Sequence, residues 1–362
     1  MAPASTSIRT DLADLDRETL ERTFQDAGLP RYRARQVFRW LYVRGETGFA
    51  RMSDLGRDLR TVLDERFRIS TPELVREDRS TDGTRKFLLQ LADGRRIESV
   101  YIPDTPKQTF CISSQVGCAM DCDFCLTGKM GFIRNLTPAE ITGQVRVLAS
   151  ATGLLGKPFN IVLMGMGEPL HNYDHVMTSV RILTDEHGFN LPARRVTLST
   201  VGVVPAMHRL AAEPIMPNLA VSLHATTNPQ RDRLVPVNRK YRLEDVVDAC
   251  RRFPLKRRSR ITFEYVLLDG VNDTPEDARR LVGLLVEVKA KVNLLPLNAA
   301  PGIPYERPSD ERVNRFARIL ADHGVNVSVR KSRGRDIRAA CGQLIVEGQK
   351  KAAGQRLAVL MS

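Results

Sequence analysis

Three cysteines, Cys118, Cys122 and Cys125, fall within eight residues at C-x3-C-x2-C spacing. Thiolates this dense can hold a metal or an iron–sulfur cluster with little chain to order. On a [4Fe–4S] cluster, three protein thiolates leave one iron free for a substrate or cofactor. A structural zinc site, a disulfide pair or three unrelated buried thiols are the competing readings. Zinc sites usually add a second C-x2-C pair or histidines, and neither follows here. The other three cysteines are scattered. Cys250, on an apolar helical pattern, reads as a small buried hydrophobe. Cys111 precedes the cluster loop by seven residues. Cys341 follows the basic run Arg330–Arg338, where cationic neighbours would lower its thiol pKa and make it a nucleophile. Glu98, on an otherwise apolar strand, reads first as a solvent-facing residue and second as a candidate site residue.

These residues need elements to place them. From 109 onward strands alternate with helices: Thr109–Ser113, Asn160–Met164, Val196–Thr200, Leu219–Leu223, Ile261–Leu268 and Val292–Leu297, with a seventh candidate strand at Val325–Val329. Six βα repeats imply a parallel sheet, doubly wound or rolled into a partial barrel. In either, functional residues gather at the C-terminal ends of the strands. Cys118–Cys125, Gly165-Met166-Gly167-Glu168-Pro169, Ser199, Ser222-Leu223-His224 and Asn298 all fall at such ends. A Glu beside close-approach glycines can accept hydrogen bonds from an ammonium group. Before these repeats, residues 1–75 read as a helical unit. Residues 76–104 contain a hairpin turning at Asp93-Gly94, 105–345 form the core, and 346–362 a tail.

The chain has 362 residues with ordinary hydrophobic content, 42%, and no apolar run fit for a membrane span. Its N-terminus lacks an apolar signal core, so a cytoplasmic protein without a disulfide scaffold is expected. The net charge of +13 favours a polyanionic partner, above all nucleic acid. Arg31, Arg33, Arg35, Arg39 and Arg44, interleaved with Tyr32 and Trp40, read either as a solvated helix face or as phosphate contacts.

The stretches FCISSQVGCAMDCDFCLTGKMGFIRNLTPAEI, LMGMGEPLHN, RRVTLSTVG, LAVSLHA, VNLLPLN and RGRDIRAACGQL resemble the RlmN/Cfr group of radical S-adenosylmethionine RNA adenine methyltransferases. They run from about 98 to 344, and GFIRNLT resembles the C2-methylating branch. The resemblance implies an α/β fold: a partial (βα)6 TIM-like barrel with a helical N-terminal accessory domain and a β-hairpin extension. It implies that Cys118, Cys122 and Cys125 ligate one [4Fe–4S] cluster. Glu168, Pro169, Ser199, Ser222, Leu223, His224 and Asn298 would bind S-adenosylmethionine, two molecules being used per turnover. Cys341 would carry the methyl group as S-methylcysteine, Cys111 would resolve the protein–RNA adduct by disulfide formation, and Glu98 would accept the proton. The implied substrates are an adenine of 23S rRNA, methylated at C2, and an adenine of tRNA beside the anticodon. The implied partners are these RNAs and an electron donor such as flavodoxin or ferredoxin, serving a monomer off the membrane. The alternatives are C8 methylation of the Cfr type and a non-catalytic zinc-stabilised RNA-binding protein.

Overall fold

The computed structural model describes residues 9–103, 107–346 and 348. The expected tail at 346–362 therefore lies almost wholly outside the described residues. In the N-terminal unit, β1 (Thr10–Asp11) pairs in parallel with β2 (Phe67–Arg68), around α1 (Arg17–Asp26), α2 (Arg31–Tyr42) and α3 (Arg57–Arg66). Leu20 and Phe24 of α1 lie on one helix face, as do Val37, Phe38 and Leu41 of α2. These buried side chains form a core of their own. The Asp16 side chain caps α1 by accepting from Thr19 N–H.

The main sheet has ten strands. In chain order they are β3 (Glu73–Arg79), β4 (Arg85–Gln90), β5 (Arg96–Ile102), β6 (Thr109–Cys111), β9 (Asn160–Leu163), β10 (Val196–Thr200), β11 (Asn218–Ser222), β12 (Ile261–Leu267), β13 (Ala290–Pro296) and β14 (Asn326–Val329). Across the sheet they follow the order β14-β13-β12-β11-β10-β9-β6-β5-β4-β3. The two-stranded pair β7 (Gln115–Gly117) and β8 (Phe132–Asn135) stands apart from it at the rim.

From β6 to β14 every neighbouring pair in the main sheet is parallel. Each new strand joins on the same side of the last, with no reversal of order. Right-handed crossovers then put every connecting helix on one face, so the sheet curls as a partial barrel and not as a doubly wound sheet. The connecting helices are α5 (Pro138–Thr152), α6 (Tyr173–Thr184), α7 (Val204–Ala211), α9 (Leu243–Arg251), α10 (Pro275–Leu284) and α11 (Asp310–Asp322). Two shorter helices, α4 (Leu126–Met130) and α8 (Asn228–Leu234), decorate the rim.

The hairpin expected at 76–104 is the inner part of a three-stranded antiparallel extension. β5 pairs with β6, so the extension continues the barrel sheet and does not link separate bodies. The two cores meet at α5 and α6, which contribute Ala139 and Ile182 to the N-terminal cluster. This double duty explains why α5 is buried along most of its length. Asp14 accepts from Ala139 N–H, and Arg17 and Arg181 pair with Asp185 and Asp16 across the junction.

Candidate active site

The glycines of the second strand end set the close approaches. Gly167 has φ +107°, and a Cβ there would lie 2.6 Å from Gln115 Cβ. At Gly165 a Cβ would meet the Ile112 carbonyl at 2.8 Å. Only glycine fits either position. This packing turns Glu168 inward. Its carboxylate accepts from Leu170 N–H at 3.0 Å and Val201 N–H at 2.9 Å, while its own N–H donates to Gln115 Oε1. Burial pushes the Glu168 carboxyl up to about 7, against these donors.

Glu168 borders a cavity of about 970 Å³, mouth included, into which most of the candidates open. Cys118, Cys122 and Cys125 line it with Pro169, Ser199, Ser222, His224, Asn298 and Cys341. His224 adopts φ +61° and accepts from Val266 N–H on Nδ1 at 3.0 Å. Burial and then Arg231 depress its pKa to about 3, so the ring is neutral with its proton on Nε2. Asn298 Oδ1 is buried without a hydrogen-bond partner, an acceptor left for a ligand.

The three loop thiols border this shared space, and no trio of His, Cys, Asp or Glu among the described residues is drawn tightly enough to chelate a single ion. Burial pushes Cys118 and Cys122 up, and neighbouring thiols add to the shift. Soft donors gathered so that their thiolates repel one another fit a cationic iron–sulfur group. The loop itself is well anchored. Asp123 takes the Lys129 ammonium at 2.6 Å and the Tyr305 hydroxyl at 2.6 Å. Leu126 N–H donates to Gly342 O at 2.8 Å, which joins the cluster loop directly to the segment carrying Cys341.

All six cysteines are free. Cys111 lies on β6, opposite Val100 of β5, and is buried beneath the cavity instead of lining it. Burial and then the charge of Cys341 push its thiol up. Cys341 is exposed at the cavity wall. The basic run beside it in sequence implies a lowered pKa, and the structure shows the reverse. Desolvation by the surrounding walls and then Glu264 push Cys341 up to about 11, with Arg330 opposing only in part. The basic run ends at Arg338, three residues before it, whereas the groups facing it in space include a carboxylate and a thiol. Cys250 sits in the main core, as its apolar helix implies.

Glu98 is buried, not solvent-facing, and it lies outside this cavity. It borders an adjoining polar one with Lys86, Arg76 and Arg338. The N-terminal arginines divide. Arg31 and Arg35 are committed to Glu21 at 2.6 and 2.7 Å, and Arg44 lies 3.9 Å over Trp40. A structural role thus accounts for Arg31 and Arg35, which hold α1 to α2.

Sequence reasoning missed two residues at the rim. Glu264 lines the cavity and accepts from Asn293 Nδ2 at 2.8 Å. A lone charge inside the apolar strand ITFEYVL was its available signal. Arg231, fully buried, donates to the carbonyls of Leu223 and Val201. It also donates to Asn238 Oδ1 at 3.1 Å, and so ties together the loops that follow β10 and β11. Nothing in its local sequence marks it.

A family model described as the radical SAM superfamily matches residues 112–282, and one described as the ribosomal RNA large subunit methyltransferase N-terminal domain matches residues 10–69. A dual-specificity RNA methyltransferase RlmN of Geobacter sulfurreducens is 51% identical over 334 residues, spanning 92% of this chain and 91% of that protein. The chain belongs to the RlmN family of radical SAM RNA methyltransferases. The RlmN protein of Paracoccus denitrificans is 48% identical, across 95% of this chain and 92% of its own. A crystal structure of a radical SAM methyltransferase from Sphaerobacter thermophilus superposes with a TM-score of 0.88 at 47% identity, covering 92% of this chain and 99% of that one. The N-terminal model falls on the helical unit, and the radical SAM model falls within the larger core, which reaches from Phe87 to Val346.

Proposed function

We propose that this RlmN-family enzyme methylates C2 of an adenine in 23S rRNA and of an adenine beside the anticodon in tRNA, through S-methylated Cys341. One observation carries the reading: Cys341 shares a cavity with three clustered thiols. Adenine C2 is an electron-poor carbon without a nucleophilic lone pair, so direct methyl transfer to it is unfavourable. A [4Fe–4S] cluster held by Cys118, Cys122 and Cys125 would supply the electron that cleaves S-adenosylmethionine reductively. Glu168 receives the ammonium group of that cofactor, Asn298 Oδ1 and His224 Nε2–H offer an acceptor and a donor, and Ser199, Ser222 and Pro169 complete the wall, whereas Leu223 is buried in the main core and does not line the cavity. Cys341 is accessible to take a methyl group, Glu98 accepts the proton lost from C2, and Cys111 releases product by forming a disulfide with Cys341.

Charge brings the RNA. The exposed Arg335, on the segment that carries Cys341, contributes to a phosphate-binding edge. A structured RNA must splay its adenine out to reach a cavity at the barrel rim. The enzyme works as a cytoplasmic monomer, reduced by a flavodoxin or ferredoxin. Among the described residues no helix is long and apolar enough to cross a membrane. Nucleoside mass spectrometry of rRNA and tRNA, with and without the gene, tests the assignment. Gene-dependent 2-methyladenosine in both RNAs is expected. An 8-methyl product would move the enzyme to the Cfr-type reaction, and a colourless zinc protein from anaerobic purification would remove the radical chemistry.

A further inference from the structure

Glu98 and Lys86 form a buried ion pair on one face of the β4–β5 ladder. Glu98 stands opposite Leu88, and Lys86 opposite Val100, so the two are diagonal neighbours. The Lys86 ammonium lies 3.0 Å from Glu98 Oε1, with side-chain exposures of 8% and 3%. The second oxygen, Oε2, accepts from Ile345 N–H at 2.9 Å, on the segment that carries Cys341. The Glu98 backbone is fixed as well. Its carbonyl accepts from Ser113 Oγ at 2.7 Å, and that hydroxyl in turn accepts from Met166 N–H at 2.8 Å beside Glu168.

Such a pair gives the fold little that apolar side chains would not. A buried ion pair replaced by well-packed hydrophobic residues is often as stable or more so, and Leu88 and Val100 already fill this face. Its use lies with the carboxylate. Burial pushes Glu98 above the ordinary carboxylate range, and Lys86 is the first influence opposing that rise. A neutral acid cannot take a proton. The other charges facing Glu98 are Arg76 and Asp78 of β3, Arg96 of β5, and Asp336 and Arg338 of the Cys341 segment. Asp78 and Arg76 are paired with each other at 3.2 Å, and Asp78 stands 3.9 Å from Lys86. A lysine, unlike an arginine, engages one oxygen as a point charge and leaves the other to the Ile345 N–H.

We propose that Lys86 is a positioning residue for the deprotonation step, favouring the ionised form of Glu98 and aiming it beside the Cys341 segment. The inference rests on the role given to Glu98 under the proposed function. In the step, the C2–H bond of the RNA-bound adenine breaks, its proton passes to a Glu98 oxygen and its electron pair stays with the ring. Lys86 keeps its own proton throughout.

The test uses the holoenzyme with an rRNA fragment, S-adenosylmethionine and reductant, in Lys86→Met, Lys86→Arg and Glu98→Gln forms. Product formation is followed from pH 6 to 9, with protiated and C2-deuterated RNA, and Cys341 S-methylation is read by peptide mass spectrometry. Glu98 accepts only when ionised, so the rate falls as pH drops through its pKa. Removing the cation moves that fall to higher pH. Lys86→Met is therefore expected to methylate Cys341 normally, to form product at least about tenfold more slowly at pH 7, and to recover at high pH. Its deuterium effect should rise as deprotonation becomes limiting, and Lys86→Arg should restore most of the rate. Lys86→Gln replaces the methionine variant if that one does not fold. A wild-type pH profile in Lys86→Met, or a loss that pH does not relieve, overturns the proposal. Wild-type product formation by Glu98→Gln instead overturns the role of Glu98 itself.

Discussion

Glu21 offers a direct separation of structural arginines from RNA-binding ones. Its carboxylate, 1% exposed, receives Arg17 at 3.0 Å, Arg31 at 2.6 Å and Arg35 at 2.7 Å. Burial works against the ionised form, but the guanidiniums of Arg35, Arg31 and Arg17 outweigh it and hold Glu21 at about 2, down from 4.5. A drop of about 2.5 pH units corresponds to a ceiling of about 3.4 kcal/mol. Arg31 and Arg35 are themselves 55% and 47% exposed, so solvent screens their share, leaving about 1–2 kcal/mol. Because the folded pKa is depressed, this stability is complete above about pH 4.5 and is lost as pH falls toward about 2. Glu21→Gln should therefore lower the stability of the N-terminal unit by about 1–2 kcal/mol at pH 7, with the gap closing below about pH 4.5. The assay is built in: Trp40 is the only tryptophan, and it sits in α2 with its indole N–H donating to Asp54. Denaturation followed by Trp40 fluorescence reads this unit alone. RNA affinity of Glu21→Gln and Arg35→Gln should stay within about twofold of wild type at fixed salt, since neither change removes a phosphate contact. An unchanged Trp40 midpoint would refute the reasoning, as would a salt slope reduced by about one in Arg35→Gln.

Three further outcomes are expected. Cys341→Ala should abolish methylation, whereas Cys111→Ala should accumulate a protein–RNA crosslink on denaturing gels; its absence would remove the resolving role from Cys111. Gly167→Ala forces a side chain into φ +107° and to within 2.6 Å of Gln115, at a cost of about 2–4 kcal/mol. Calorimetry should show S-adenosylmethionine binding at least about tenfold weaker, because Glu168 is displaced with it. Arg231→Met leaves the carbonyls of Leu223 and Val201 without their buried donor, at about 1–3 kcal/mol each, and the melting temperature should fall accordingly.

Most strands of the barrel were legible because they are short, largely apolar runs inside the sheet, and β10 falls where its pattern places it, Val196–Thr200. β3 was not, because Glu73–Arg79 carries charges on both faces at an exposed sheet edge and shows no alternation. α8 is short and begins at Asn228-Pro229 after its Thr227 cap, which reads equally well as a turn. Within the site, residues at the strand ends could be grouped from topology alone. The environment of Cys341 could not, since Glu264 and Cys125 reach it only through the fold while the nearest charge in sequence is Arg338. The commitment of Arg31 and Arg35 was hidden for the same reason: their partner Glu21 lies on the preceding helix.

The segment around Cys341 is tied at both ends, and between the ties Arg338 and Cys341 are exposed while Ala339 and Ala340 are buried. On one side, Asp82 accepts from Gly334 N–H, and Asp336 accepts from Ser80 Oγ and Thr81 N–H, so the turn between β3 and β4 holds the basic run. On the other, Leu126 N–H and Thr127 Oγ donate to the carbonyls of Gly342 and Leu344, and Glu98 takes Ile345 N–H. In the proposed cycle Cys341 must meet a methyl donor, then an RNA carbon at the cavity, then the buried Cys111. A thiol on a long loose loop would meet each too rarely, and one on a strand could not turn between them. A short span between fixed anchors, with Cys341 itself exposed, meets both demands. In the proposed cycle the anchors also come from parts whose work must be timed together: the three-cysteine loop through α4, Glu98 through Ile345, and the basic run through Asp336.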